Sequence, residues 1–273
     1  MRKAIFPVAG YGTRMMPATK AIPKEMLPIV DRPAIHYTAE EAAKSGFDWI
    51  VLVTARGKEP IINYFDRDPE LEAILRAKGM VDMAELLKTL SEAVRVFSVR
   101  QGIPMGLGHA VLCAREIVGD EPFAVVLPDD IIMAEKPVLA QMLDVFLQTG
   151  KSVVALEEVE RERVSSYGII KGKPLDDAIY EIERLIEKPA VEEAPSNLAV
   201  IGRYILSPEV FTILEKIPPG RGGEIQLTDA LSIMASRGML VGYKFKGDRF
   251  DIGNPEGFLK ANIAFGKARG LEI

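Results

Sequence analysis

The chain has 273 residues, 48% hydrophobic and 27% charged, a size and balance that can bury a large core in one α/β domain. Its formal net charge of −5 argues against a nucleic-acid surface, so any anion site must be built from a few local cations. The single cysteine, Cys113, leaves no intrachain disulfide, no apolar run approaches the roughly 18 residues of a membrane span, and the opening residues read as a strand and not as a signal peptide; a cytoplasmic protein without membrane contact is the expectation.

Residues 3–9 are apolar enough for a buried strand, and Gly10-Tyr-Gly-Thr-Arg14 follows at once. Pro33 to Ser45 reads as a helix closed by Gly46. Residues 48–54 form an almost wholly apolar run, suited to a central strand covered on both faces. Residues 58–91 are helical in pattern and 94–99 are a strand, followed by a second glycine-rich loop from Gln101 to Gly108. A helix is expected from about His109 to Ile117. A buried strand over 123–128 ends in Asp129-Asp130, and a helix with Leu139, Met142, Leu143 and Phe146 on one face precedes a strand at 152–156. Residues 160–200 are rich in loops, with antiparallel strands expected around 167–170, 179–186 and 198–205. Ser207-Pro-Glu209 and Asn254-Pro-Glu256 both read as helix starts: a capping side chain, then proline at the first helical position.

The alternation of strand, loop and helix predicts a doubly wound, mostly parallel but mixed α/β sheet. The chain reads as one continuous domain, 1–273, with a substrate-binding subregion in its second half. The loops after residues 9, 99 and 128 all lie at carboxyl ends of strands, where ligands bind in such sheets.

The first loop is built to approach phosphate. Glycine removes the Cβ that would block a close approach, and Arg14 and Lys24 offer cations. A dinucleotide fingerprint needs a third glycine where Met15 stands, and Pro17 and Pro23 argue against an early helix. No Gly-Lys-Ser/Thr of a Walker A loop follows either.

The longer string, Gly10-Tyr-Gly-Thr-Arg-Met-Met-Pro-Ala-Thr-Lys-Ala-Ile-Pro-Lys-Glu-Met-Leu-Pro28, resembles the signature of the sugar-phosphate nucleotidyltransferases. Val99-Arg-Gln-Gly102, Gly106-Leu-Gly-His-Ala-Val-Leu112, Leu127-Pro-Asp129, Glu187-Lys-Pro189, Ala194-Pro-Ser-Asn-Leu198, Gly202-Arg-Tyr204, Gly223-Glu-Ile-Gln-Leu-Thr-Asp229 and Asp251-Ile-Gly-Asn254 extend the likeness in order. Within that family the pattern is similar to the bacterial UTP–glucose-1-phosphate uridylyltransferases. One departure stands out: two aspartates follow Leu127-Pro where the pattern has one.

The resemblance implies a Rossmann-like nucleotidyltransferase fold and Mg²⁺-dependent transfer of uridylyl from UTP to glucose 1-phosphate, releasing pyrophosphate. Within the single domain it makes residues 1–157 mainly nucleotide-binding, and residues 158–273 mainly sugar-phosphate-binding with a C-terminal helix. It implies a homodimer or homotetramer in carbohydrate metabolism. It puts Ala9, Gly10, Gly12, Thr13 and Arg14 around the nucleotide and Lys24 near the α-phosphate. Gln101 would meet the uracil edge, and Gly102 and Gly108 would admit the nucleoside. Tyr167, Gly168, Glu187, Lys188 and Asn197 would take the sugar phosphate, with Lys188 on its phosphate. Asp129 and Asp251 would hold the metal, with Asp130 a rival to Asp129 because neighbours on a strand point oppositely. Arg14, Lys24, Asp129 and Lys188 are the expected catalytic set. His109 is expected to be structural, and Glu224 and Asp229 to cap or support the fold. The alternatives are a thymidylyl- or cytidylyltransferase, and a noncatalytic sugar-nucleotide sensor; the retained charges argue against the sensor.

Overall fold

The structure, a computed structural model, describes residues 1–272 and their side chains apart from that of Arg221. Strand β1 (Lys3–Pro7) leads through single 3-10 turns to the short ribbon β2 (Pro28–Ile29) and β3 (Arg32–Pro33), then helix α1 (Ala34–Lys44) and β4 (Trp49–Thr54). Helices α2 (Glu59–Phe65), α3 (Pro69–Ala77) and α4 (Val81–Ala93) precede β5 (Arg95–Arg100). Next come α5 (Leu107–Cys113), α6 (Arg115–Val118), β6 (Phe123–Val126), β7 (Asp130–Met133), α7 (Val138–Thr149) and β8 (Ser152–Glu158). Strands β9 (Gly168–Pro174), β10 (Ile179–Glu187) and β11 (Leu198–Leu206) follow, then helices α8 (Glu209–Leu214) and α9 (Leu227–Ser236). The chain closes with β12 (Leu240–Lys244), β13 (Asp248–Asp251) and α10 (Pro255–Ala268).

Nine strands form one mixed sheet in the order β5-β4-β1-β6-β11-β8-β12-β10-β9, so strands from both halves of the chain share it. Strands β5, β4, β1 and β6 run parallel, and β11 enters antiparallel beside β6. Pleating sends Ala4 and Phe6 to one face, against Ile35, Ala39 and Met142 of α1 and α7. Ile5 goes to the other face, into the core that includes Ala110, Phe211 and Leu231 of α5, α8 and α9. Helices thus cover both faces, as the expected α/β class requires. Because β4 and β6 flank β1 on opposite sides, the strand order reverses beside β1, which opens a crevice at its carboxyl end.

Local chemistry sets several boundaries. Helix α1 ends where Gly46 adopts φ 87°, with Phe47 N–H donating to Ala42 O at 2.9 Å and Gly46 N–H to Ala43 O at 3.0 Å. Asn254 Oδ1 caps α10 by accepting from Gly257 N–H at 2.9 Å. Ser207 does not cap α8 with its side chain: its hydroxyl meets Ser152 Oγ at 3.3 Å instead. The helix expected from His109 begins earlier, at Leu107, and breaks at Ala114 into two pieces. The strand expected over 123–128 stops at Val126; a tight turn follows, and Asp130 starts the unanticipated strand β7. Among the described residues no helix is long and apolar enough to cross a membrane.

Candidate functional site

A cleft of about 540 Å³ opens over the carboxyl ends of the central strands. The first loop contributes Arg14, the second Gly106 and Leu107, and the turn after β6 contributes Asp129. Its far wall is built by Tyr167, Gly168, Glu187 and Lys188, and Asp251 and Asn254 close one side. A larger recess of about 830 Å³ lies beside α7 and β12, lined by Gln141, Asp144 and Tyr243, and holds none of the motif residues.

The first loop leaves β1 through a left-handed Gly12, φ 66°, whose carbonyl accepts from Thr19 Oγ1 at 2.8 Å. A Cβ on Gly12 would press on Lys24 and Thr19 at 3.3 Å, so glycine serves both the turn and the approach of Lys24. Single 3-10 turns over Thr13–Met15, Ala18–Lys20 and Lys24–Met26 replace the helix that Pro17 and Pro23 disfavour. Thr13 and Arg14 are exposed there, as is Gly10, and Ala9 is half-buried.

Lys24 Nζ donates to Asp129 Oδ2 at 2.5 Å, and Arg14 lies 3.8 Å from both Asp129 and Asp251. Burial pushes the Asp129 carboxyl up, but Lys24 and then Arg14 more than offset it and hold the group below the usual carboxylate range. Burial likewise lowers Lys24, and Asp129 and Glu25 raise it above its ordinary value. Lys24 and Asp129 therefore stabilise each other as an ion pair. Two features bring the carboxylates together. In the β7–β13 ribbon Asp251 stands opposite Asp130, and Ile252 N–H donates to Asp129 O at 2.9 Å.

Asp130 faces a different set of partners. Its Oδ1 accepts from Arg249 Nε at 2.7 Å and its Oδ2 from Gly202 N–H at 2.8 Å. Burial raises this carboxyl, Arg249 pulls it down, and Asp129 and Asp251 push it up again, leaving it above the usual range. Arg249 also donates to Glu157 Oε2 at 2.8 Å and lies over the Tyr167 ring, 5.2 Å from its centroid.

On the far wall, Glu187 Oε2 accepts from Thr228 Oγ1 at 2.5 Å, and Lys188 Nζ lies 3.4 Å from Glu187 Oε1. Lys188 has φ 44°, a conformation that costs a non-glycine residue energy, and its N–H donates to Tyr167 O at 2.9 Å. Its side chain is exposed and lines the cleft. Gly168 faces Thr228 and Glu187, where a Cβ would come within 3.3–3.4 Å.

Three sequence expectations meet different surroundings. Gln101 is buried, and its amide nitrogen is engaged by Gly106 O at 3.1 Å and His109 Nδ1 at 3.0 Å, so only its carbonyl oxygen is free of a partner. Gly108 is buried against Ile225: a Cβ there would lie 2.7 Å from Ile225 O, and Gly108 N–H donates to that oxygen at 2.9 Å. Its glycine thus serves helix packing and not an approach by ligand, whereas Gly102 is exposed at the end of β5. Asn197 is exposed, outside the cleft lining, with its carbonyl accepting from Val159 N–H at 3.0 Å. Glu224 does line the cleft and accepts from Gln226 Nε2 at 2.7 Å, while Asp229 faces away from it beside Gly220.

Sequence reasoning assigned no role to Gly253, Arg203 or Arg249. A Cβ on Gly253 would lie 2.6 Å from Arg14 Nη2, 3.0 Å from Asp251 Oδ1 and 3.1 Å from Asp129 Oδ2. Arg203 is wholly buried within an otherwise apolar strand, and a charge in such a run is itself a signal, because it must be paired.

The point that a Gly253 Cβ would occupy is a cradle about 3 Å from an oxygen of each carboxylate. No cluster of three or more metal-binding side chains exists among the described residues. Two carboxylates facing an open cleft suit a hard divalent cation that takes its other ligands from phosphate oxygens and water.

The family model of the nucleotidyl transferases matches residues 3–267. A UTP–glucose-1-phosphate uridylyltransferase of Bacillus subtilis is 48% identical over 269 residues, covering 98% of this chain and 91% of that protein. A second such enzyme, from Staphylococcus saprophyticus, is 46% identical over 97% of this chain and 92% of its own length. A solved UDP-glucose pyrophosphorylase complexed with UDP-glucose superposes with a TM-score of 0.91, at 44% identity, over 98% of this chain and 99% of that one. A UTP-bound enzyme from Acinetobacter baumannii gives a TM-score of 0.90 at 40% identity, over 98% of this chain and 94% of that one.

Proposed function

Because the chain belongs to the nucleotidyl transferase family, we propose that it transfers uridylyl from UTP to glucose 1-phosphate, forming UDP-glucose and pyrophosphate. The observation that carries this reading is the convergence of Arg14 and Lys24 on Asp129, with Asp251 beside them, at the strand ends where the sheet opens.

A phosphate oxygen of the sugar substrate attacks the α-phosphorus in line; one P–O bond forms and the bond to pyrophosphate breaks. The attacking phosphate is already a nucleophile, so the chain needs to position it and neutralise charge. Lys24 serves the α-phosphate, its ammonium held cationic by Asp129. Arg14, exposed at the cleft mouth, meets the triphosphate. Lys188 meets the sugar phosphate, and Glu187, fixed by Thr228, accepts from sugar hydroxyls. Tyr167 and Gly168, which line the cleft, complete this side. Ala9, Gly10, Gly12, Thr13 and Gly102 bring backbone to the nucleotide, and the free carbonyl of Gln101 accepts from uracil N3–H. Asp129 and Asp251 would hold Mg²⁺, which when bound would neutralise phosphate charge and make the α-phosphorus more electrophilic.

Pyrophosphate release measured with UTP, dTTP and CTP against a panel of sugar 1-phosphates tests the assignment. UTP with glucose 1-phosphate is expected to give the highest kcat/KM. A preference for dTTP or CTP, or no turnover with any pair, overturns it.

A further inference from the structure

The turn that presents Asp129 is held by an arginine in β11, the strand paired with β6. Arg203 sits in β11, has no exposed surface, and uses all five of its N–H groups. Nη1 donates to Leu127 O at 3.2 Å and Gly202 O at 3.0 Å. Nη2 donates to Asp130 O at 2.7 Å and Glu41 Oε2 at 2.8 Å, and Nε reaches Glu41 at 3.1 Å. Leu127 and Asp130 are the first and last residues of the turn, closed by Asp130 N–H donating to Leu127 O at 3.1 Å. Asp129 is its third residue, and its φ and ψ follow from where those two carbonyls are fixed.

Glu41, on α1, is the counterion of this guanidinium and also accepts from Leu139 N–H of α7 at 3.2 Å. A fully buried guanidinium without its carboxylate would be costly, so Glu41 is what keeps Arg203 in this geometry. Lysine has three donors on a point charge and cannot reproduce the planar fork.

We infer that Arg203, locked by Glu41, is a positioning residue for Asp129: it sets the angle at which that carboxylate meets the bound divalent cation. The inference rests on the assignment of Asp129 as a metal ligand. It extends that assignment to two residues that touch neither substrate nor metal.

The test is Mn²⁺ binding to the full-length protein with UTP present, followed by the electron paramagnetic resonance signal of free Mn²⁺. Glu41→Gln and Arg203→Lys are expected to weaken Mn²⁺ binding by about tenfold, as loss of a ligand's supporting shell does. UTP binding without metal is expected to stay within about twofold. Glu41→Gln is then repeated in an Asp129→Asn background. A residue acting through Asp129 loses its effect there, so the further change is expected to be under about twofold. Equal losses in both backgrounds would mean general loosening of the fold and overturn the inference. So would Mn²⁺ affinity within twofold of wild type for Glu41→Gln, the variant that decides the matter if Arg203→Lys does not fold. If Asp129→Asn by itself leaves Mn²⁺ binding unchanged, the metal assignment fails and the inference with it. A weakened Asp129→Asn beside unaffected Glu41→Gln sinks the inference alone.

Discussion

Asp129 and Asp130 are adjacent, both acidic and both buried, yet their partners divide them between two tasks. Asp129 has Lys24 and Arg14, and Asp130 has Arg249 and the Gly202 amide. Asp129→Asn is therefore expected to cut turnover by about 10² or more, as loss of a major electrostatic stabiliser does, and to shift the Mg²⁺ dependence. Asp251→Asn should move in the same direction. Asp130→Asn should instead lower the melting temperature, because breaking a buried pair costs about 3 kcal/mol. Its Mg²⁺ dependence should stay near that of wild type. A magnesium titration of the three variants beside their melting curves decides it; a shifted titration for Asp130→Asn alone would mean the tasks are reversed. Lys188 is a separate matter. Its ammonium is exposed with only Glu187 nearby, so Lys188→Ala should leave stability intact and lose a charge-assisted contact of about 1.5–3 kcal/mol. That is roughly a ten- to hundredfold fall in kcat/KM for glucose 1-phosphate, with UTP affinity by calorimetry little changed. Weaker UTP binding with normal sugar-phosphate kinetics would place Lys188 on the other substrate.

At the scale of elements, the β7–β13 ribbon sets the spacing of Asp129 and Asp251, and Gly253 just beyond it keeps the space between them open. Gly253→Ala would put a methyl into that space. The nearest atom is the end of the exposed Arg14 side chain, which can swing away, so the fold should melt within a few degrees of wild type while turnover falls on the order of tenfold or more. Gly257→Ala makes the contrast, since its Cβ would stand 1.9 Å from Asp251 O, a backbone atom that cannot yield. That variant should be destabilised outright. Equal melting curves for the two variants would refute this account. The ribbon also marks where sequence reading stops. The parallel strands β1, β4, β6 and β8 were legible because each is an apolar run bounded by a glycine-rich loop or a helix, whereas β12, parallel to β8, was not anticipated. The Asp130–Met133 strand starts with an acid directly after a proline turn, and its partner 248–251 is Asp-Arg-Phe-Asp, so neither has the alternation of a half-buried strand. Their pairing depends on tertiary contact alone. The cleft residues were legible through motif; the surroundings of Gln101, Gly108 and Asn197 were not, because spacing says nothing of which neighbour claims a side chain first.

For the whole molecule, one contribution to acid stability comes from a buried histidine away from the cleft. His36 is almost fully buried, with Tyr64 OH 2.9 Å from Nδ1 and Arg32 Nη1 3.2 Å from Nε2. Burial and then the nearby Arg32 lower its pKa from 6.5 to about 4. The folded state therefore refuses a proton that the unfolded chain accepts once the pH drops below about 6.5. This contribution is intact at neutral pH, declines as the pH falls from about 6.5 towards 4, and amounts to at most about 3 kcal/mol. Urea unfolding between pH 7 and 4.5 should show that decline. His36→Asn should be less stable at pH 7 but show a flatter profile over the same window. An unchanged slope in the variant would shift the cause elsewhere.

The sheet order has a consequence for synthesis. Strand β12, close to the end of the chain, lies between β8 and β10, and β13 pairs back to β7. A ribosome therefore releases the glycine-rich loops long before the strands that complete the sheet and bring Asp251 to Asp129. Until those last segments emerge, the growing chain has an open seam and half of its carboxylate pair. An interrupted translation product would carry the first loops of the cleft without the strands that close it, so turnover should appear only with the complete sheet.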